Sequence, residues 1–412
     1  MSVGCRIGAI TVDGKRFITK LRLRNLLSFG PEAEEFELEP LNVLIGPNAS
    51  GKSNVIEAIS LLQAAPDDIQ EPIRRGGGVG EWLWKGGEEE PAASVDCAIG
   101  AQDIGQLRYS LAFACHGQQF DLVGELIDDQ LHLKESGKDP VYHHADGHEL
   151  VTRREFTTGW VSDPVVGARE VNESISRSRS VLAQLRDPQR HPEITYIGAH
   201  FAGIRIYGEW HLGRATEPRK PQMTDLESDF LSEDAKNLAL VINDLQNRPG
   251  LEERLNEELA RFYPRAKKIT VRILGGTVQL QLHEEGLRDP IPATRMSDGT
   301  LRYLCLLSIL LHPDPPPLVC IEEPEIGLHP DIVVRLAHLM QEASERMQLI
   351  VTTHSDALVA ALSGVPEAVA ICERDENGST TLRRLSRDDL GDWLERYTLG
   401  DLWMKGELGG VL

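Results

Sequence analysis

The stretch LNVLIGPNASGKSNVIEAI, residues 41–59, decides how this chain is read. It opens on Leu41 to Ile45, an apolar run of mostly β-favouring residues. That run leads into Gly46-Pro47-Asn48-Ala49-Ser50-Gly51-Lys52-Ser53, which fits G-x-x-x-x-G-K-S/T, the phosphate-binding loop. Glycine at 46 and 51 permits backbone conformations that a side chain would hinder, so the loop N–H groups can curl round phosphate oxygens. Lys52 supplies a positive charge for the β- and γ-phosphates, and Ser53 a hydroxyl for Mg²⁺. From Asn54 to Gln63, apolar Val55, Ile56, Ile59 and Leu62 predict a helix whose N-terminus points at the phosphates. A chance Gly-Lys-Ser in a glycine-rich turn would lack this flanking strand and helix.

The chain has 412 residues, room for two or three domains, with 41% hydrophobic and 26% charged residues as in ordinary globular proteins. No apolar run approaches the length of a membrane span, and MSVGCRIGAITVDGKR has no long apolar region of the secretory kind. Cysteines stand singly at 5, 97, 115, 305, 320 and 372, without C-x-x-C. Neither a zinc ribbon nor a disulfide framework is suggested, and the cytoplasm is the expected location. A net charge of −21 argues against a broadly basic, nucleic-acid-coating surface. Arg74-Arg75, Arg153-Arg154, Arg177 with Arg179, and Lys267-Lys268 leave a local basic groove open, beside the plainer reading of solvated charge.

Short strands are expected over residues 17–45, then a hairpin from LRYSLAFACHG and QFDLVGELI, and another turning at Asp146-Gly147. RRGGGVGEWLWKGGEEEP, from Arg74, reads as a glycine-rich surface loop. Its Trp82 and Trp84 either anchor an interface or pack the loop onto a sheet. Residues 165–260 turn helical in pattern: SRSRSVLAQLRD, LSEDAKNLALVINDLQN with Ser232 as N-cap, and PGLEERLNEELARFY with Pro249 near its start. KKITVRIL and TVQLQLHEEG form a hairpin across Gly275-Gly276. From residue 297 helix and apolar strand alternate, which argues for a parallel sheet.

Three later stretches complement the loop. PLVCIEEPEIGLHP runs from apolar Leu318–Ile321 into Glu322-Glu323; a buried strand ending in carboxylates suits a phosphate site, and acidic residues opening a helix suit its dipole equally. MQLIVTTHSDALVAAL ends a second buried strand on His354, either a γ-phosphate partner or a capping or core histidine. TRMSDGTLRYLCLLSILL places Ser297-Asp298-Gly299-Thr300 before an almost wholly apolar helix, as a phosphate-facing N-terminus or a plain N-cap.

Taken in order, P-loop, Ser-Asp-Gly-Thr, acidic strand end and histidine strand end resemble an ABC-type ATPase head of the RecF/SMC-like branch. The chain looks like the stand-alone AAA15/AAA21 ATPases, relatives of the OLD-family ATPases. LRLRNLLSFG, LNVLIGPNASGKSNVIEAI, SDGTLRYL, IEEPEIGLHP, VTTHSDAL and LGDLWMKGELGG carry the resemblance over most of the chain. It implies an α/β fold: a mixed-sheet lobe and a parallel-sheet core with flanking helices. The expected division is a head from 1–135 and 270–412, with a mostly helical insertion over 136–269.

The resemblance also implies roles. Gly46, Pro47, Asn48, Ala49, Ser50, Gly51, Lys52, Ser53 and Asn54 would bind ATP as Walker A. Ser297, Asp298 and Gly299 would occupy the signature position, and Ser53 with Glu322 would hold Mg²⁺. Glu323 would be the general base and His354 the switch histidine, while Glu325 to His329 fall in the D-loop region. Two departures stand out: Ser-Asp-Gly-Thr replaces Ser-Gly-Gly-Gln, and Glu322 replaces an aspartate. For the Q-loop, Gln63, Gln102 and Gln106 are all candidates. His143, His144 and His148 match no metal-ligand spacing.

Such ATPases dimerise head to tail around ATP, hydrolyse it with Mg²⁺, and in this branch commonly act in bacterial anti-phage defence. A separate effector is then expected, such as a Toprim-type nuclease, since the segment after His354 is too short for one. The alternative is a RecF-like DNA-binding ATPase of repair or recombination. A third reading, a scaffold that binds ATP without hydrolysing it, sits poorly with Glu323 and His354.

Overall fold

The computed structural model describes residues 16–87, 92–101, 105–129, 141–146, 149–152, 173–174, 176, 178–208 and 210–409. It contains two compact units, each assembled from segments distant in sequence. The first comprises Met1–Glu39, Gly46–Ile204 and Ile371–Arg383; the second, Pro40–Ile45, Arg205–Ala370 and Arg384–Leu412.

An antiparallel sheet forms the first unit's frame. Its strand order is Phe36–Glu37, Ile18–Arg24, Ala93–Ala101, Gly105–His116, Gln119–Asp129, Val141–Asp146, Glu149–Thr152 and Glu173–Ser174. The expected hairpin is present, with His116 opposite Gln119. Within Gly105–His116, residues Leu107, Tyr109, Leu111 and Phe113 alternate inward and are fully buried, the period of two that a one-sided core imposes. Asp146 and Glu149 pair across the second expected hairpin, whose turn residues 147 and 148 lie outside the described residues. Helix Pro192–Gly203 covers this frame: Phe201 meets Tyr109 and Phe17 edge-on at 5.2 and 6.0 Å. A buried carboxylate ties strand to helix, because Glu125 accepts from Tyr109 Oη (2.6 Å), Ser180 Oγ (2.6 Å) and Val181 N (2.7 Å).

The stretch from Arg74 is not a free glycine loop. It holds helices Gln70–Arg75 and Val79–Trp82, and Trp82 is 3% exposed. Packing therefore explains Trp82: Leu27 N donates to its carbonyl at 2.7 Å and Trp84 N donates to Asn25 O at 2.9 Å, which pins the segment down. Trp84 is half-buried.

In the second unit, strands Arg205–Tyr207, Leu318–Glu322, Gln348–Thr352 and Leu41–Ile45 lie parallel in that order. Leu318–Ile321, Gln348–Thr352 and Leu41–Ile45 are buried throughout, as strands covered on both faces must be. Helix Asp298–Leu310 is buried at almost every position beyond its first turn, matching its apolar sequence. Strands Ala266–Leu274 and Thr277–Glu284 form the expected hairpin, with Gly275 and Gly276 at φ 58° and 79°, backbone that favours glycine. The overall class is α/β, with an antiparallel sheet in one unit and parallel strands in the other.

The division at residues 135 and 269 does not match the compact units. Residues up to Ile204 go with the first unit, and those from Arg205 with the second. The reason is strand Arg205–Tyr207, which pairs with Leu318–Glu322 and so makes part of the supposed insertion a sheet component. Strands at 141–146, 149–152, 173–174 and 222–223 also lie within residues 136–269, beside helices Pro192–Gly203, Leu238–Gln246 and Leu251–Phe262. Two helix boundaries also differ: the first expected helix is only Val181–Gln184, and the second, Leu238–Gln246, takes Asn237 as N-cap. Ser232 instead closes a turn, its amide and hydroxyl both bonded to Asn237 Oδ1 at 2.8 and 2.9 Å.

Candidate functional site

The P-loop belongs to the first unit and is held from behind. Gly46 has φ 146°, and a Cβ there would lie 2.2 Å from the Cys372 carbonyl oxygen. At Gly51, φ is 104° and a Cβ would lie 2.2 Å from Thr380 Oγ1 and 2.6 Å from Ser28 Oγ. Both glycines are therefore required by conformation and by space. Between them Ala49 takes the left-handed region at φ 62° despite its side chain. Arg374 Nε donates to Ala49 O at 2.9 Å. Thr380 donates to Ser50 O at 2.8 Å and sits 2.7 Å from the Ser28 hydroxyl.

Three features of this loop fit a polyphosphate. Lys52, 6% exposed, folds over the loop, and its Nζ donates to Gly46 O at 2.8 Å and Pro47 O at 2.9 Å. The Ser50 hydroxyl is buried without a hydrogen-bond partner. Helix Lys52–Ala64 starts from Gly51, so no side chain caps its first turn, and the helix dipole is left to an external anion. Asn48 and Ser53 are exposed; Pro47 and Asn54 are half-buried. Gln63 Nε2 donates to Ile204 O at 2.8 Å. Gln102 and the side chain of Gln106 lie outside the described residues.

The acidic and histidine strand ends share an edge in the second unit. Parallel register sets Glu322 beside Thr352 and Thr352 beside Leu44, one residue before Ile45 and the loop that follows it. Glu323 then turns sharply: its φ is 42°, its N–H donates to Thr352 O at 3.0 Å, and its carbonyl accepts from Ile326 N at 3.2 Å. A left-handed glutamate at a strand end is a conformation that surrounding contacts must impose. Glu323 Oε1 lies 3.8 Å from His354 Nε2, with the two side chains 41% and 31% exposed. That separation is beyond a direct hydrogen bond and within reach of a shared water.

Glu325 is a residue that the motif reading placed only within a region. Its Oε1 accepts from Thr353 Oγ1 at 2.6 Å and from His354 N at 2.8 Å, while Oε2 is buried without a partner. It fixes the backbone that carries His354. Ser297 is the N-cap of helix Asp298–Leu310; its Oγ accepts from Thr300 N at 3.0 Å. Ser297 and Asp298 are exposed. At Gly299 a Cβ would come within 2.9 Å of Gly327 O, so the helix start is pressed against the 325–329 turn.

Among the described residues, no group of three or more His, Cys, Asp and Glu could hold a metal ion. Mg²⁺ needs no such cluster, since one or two carboxylates suffice when phosphates and water complete its shell. His148 and the side chains of His143 and His144 lie outside the described residues. So do Arg153, Arg154 and Arg177, whereas Arg74 and Arg75 pair with Asp68 and Glu71.

Residues 41–360 match a family described as "AAA domain, putative AbiEii toxin, Type IV TA system". The chain belongs to this AAA_21 family. No curated protein sequence matches it. Among solved structures, an Smc head bound to the C-winged helix domain of ScpA is similar over 91% of this chain and 100% of its own, at 16% identity and TM-score 0.56. A second is the Smc head domain with an extended coiled coil bound to the C-terminal domain of ScpA, from Pyrococcus furiosus. It covers 92% of this chain and 98% of its own, at 16% identity and TM-score 0.56. The AAA_21 chain thus shares the overall fold of the Smc heads. Among its described residues no helix is long and apolar enough to cross a membrane.

Proposed function

We propose that the protein hydrolyses ATP and that two copies sandwich ATP head to tail. The observation that carries this is the shared strand edge: parallel strands align Glu322, Glu323 and His354 with the strand that runs on into the P-loop. ATP binding exchanges the two carbonyl contacts of Lys52 for β- and γ-phosphate oxygens, and the loop amides and helix N-terminus take the remaining charge. Ser53 and Glu322 would hold Mg²⁺, whose charge would offset that of the phosphates. Glu323 orients the attacking water and takes its proton, with His354 beside it contacting the γ-phosphate. On the open side of that phosphate, Ser297–Gly299 of the other copy offer a helix N-terminus, so ATP holds the two copies together and hydrolysis releases them.

The nucleotide-dependent dimer works with a separate effector in bacterial anti-phage defence, a Toprim-type nuclease being the class that fits. The family's description as a putative toxin of a toxin–antitoxin system supports a two-component arrangement, and so do the Smc heads, each bound to a ScpA domain. Duplex DNA binding of the RecF kind is the second reading, and it loses support where Arg74 and Arg75 face Asp68 and Glu71. Calorimetry with MgATP tests the proposal. Lys52→Ala should lose tight binding, because phosphate charge is then uncompensated; equal affinity of variant and parent would remove the P-loop from the account.

A further inference from the structure

We infer that Arg219, far from every nucleotide motif in sequence, is a positioning residue that sets the Ser297–Gly299 helix start for the partner's ATP. This rests on the reading that those residues complete a neighbouring copy's site. Arg219 is 3% exposed, and both Nη atoms of its guanidinium reach the chain around that start. Its Nε donates to Leu212 O at 2.7 Å. Nη1 donates to Met296 O at 2.6 Å and Ala293 O at 3.2 Å, and Nη2 pairs with the Asp298 carboxylate. A guanidinium is suited to this, since its planar fork fixes several acceptors at once where an ammonium would act as a point charge.

Two consequences follow for the helix start. First, Met296 and Ala293 lie one and four residues before Ser297, so Arg219 fixes the segment from which the N-cap leaves, while Gly327 O lies so close to Gly299 that a Cβ there would come within 2.9 Å of it. Second, Asp298 is 71% exposed on the first turn, next to Ser297, where an approaching phosphate would meet its negative charge. Arg219 neutralises that carboxylate and draws it toward the protein. The helix N-terminus then presents its amides and the Ser297 hydroxyl without an opposing charge.

The test uses the full-length chain with Arg219→Met, Arg219→Lys and the double variant Arg219→Met with Asp298→Asn, alongside Ser297→Arg. ATP affinity of the monomer is read by calorimetry, ATP-driven dimerisation by sedimentation velocity, and turnover by phosphate release. We expect Arg219→Met to keep monomer ATP affinity within about twofold, while dimerisation and kcat each fall about tenfold or more. Removing the carboxylate in the double variant should restore part of the dimerisation, which a merely structural arginine would not allow. Arg219→Lys, which keeps the charge and most of the volume, should fall between and serves where Arg219→Met does not fold. Parental dimerisation and turnover in Arg219→Lys and Arg219→Met, with Ser297→Arg blocking dimerisation, overturns the inference alone. Parental dimerisation in Ser297→Arg overturns the composite-site reading, and the inference with it.

Discussion

Replacing Glu325 by alanine removes the single oxygen that organises the histidine turn. Its Oε1 receives the Thr353 hydroxyl at 2.6 Å and the His354 amide at 2.8 Å. Hydrogen bonds to a charged acceptor contribute about 1.5–3 kcal/mol each, and an unpaired buried oxygen costs about 1–3 kcal/mol. Both bonds are lost, but so is the buried, partnerless Oε2. Thr353 is fully buried, so its hydroxyl is left without that acceptor. The net expectation is a loss of about 2 kcal/mol, with Glu325→Gln near half of it because a neutral oxygen still accepts. Urea denaturation followed by tryptophan fluorescence reads the stability. Turnover should fall about tenfold with MgATP affinity unchanged, since the P-loop is untouched and only the placement of His354 is loosened. A Glu325→Ala protein as stable and as active as the parent would refute the reasoning.

Other substitutions probe separate parts of the account. Gly51→Ala should destabilise by more than about 2 kcal/mol, because its Cβ would meet Thr380 Oγ1 at 2.2 Å on a backbone of φ 104°; a melting temperature near the parent's would contradict this. Ser297→Arg should block ATP-driven dimerisation while leaving the fold intact, and mixing it with Lys52→Ala should restore partial activity through one intact composite site. No recovery from two folded variants would count against completion in trans. Burial raises the Glu125 carboxyl above its ordinary value of 4.5, so the folded chain keeps its proton to a higher pH than the unfolded chain does. Stability from this group is therefore full below that value and declines as pH rises through the window above it. Melting curves of the parent and Glu125→Gln across that window should show a steeper decline for the parent; parallel profiles would dismiss the shift.

Much of the candidate site was legible because its residues terminate strands whose apolar runs are unmistakable. Leu41–Ile45, Leu318–Ile321 and Leu349–Thr352 could be placed by hydrophobicity, and chain order then located Gly46, Glu323 and His354. Gly275-Gly276 marked its hairpin because both residues need positive φ. Local pattern failed where tertiary pairing decides. Arg205–Tyr207 is too short to announce a strand, yet its pairing with Val319–Ile321 moves the unit boundary to residue 204. Helix Pro192–Gly203 carries aromatic residues that turn inward only because Tyr109 and Phe17 await them. Arg219 lies in no motif, and the motif placed Glu325 only within a region; their contacts are with carbonyls, amides and a carboxylate that the fold brings to them.

The central claim is that Glu323 activates the water that cleaves ATP bound at Lys52, and single-turnover hydrolysis by Glu323→Gln with excess protein tests it most directly. The carboxamide cannot take the proton, so hydrolysis should slow by a factor of about a hundred or more while ATP stays bound and the ATP-held dimer accumulates. Hydrolysis at the parental rate, with Glu322→Gln inactive although its Mg²⁺ binding is intact, would contradict the account by giving the general-base role to the preceding carboxylate.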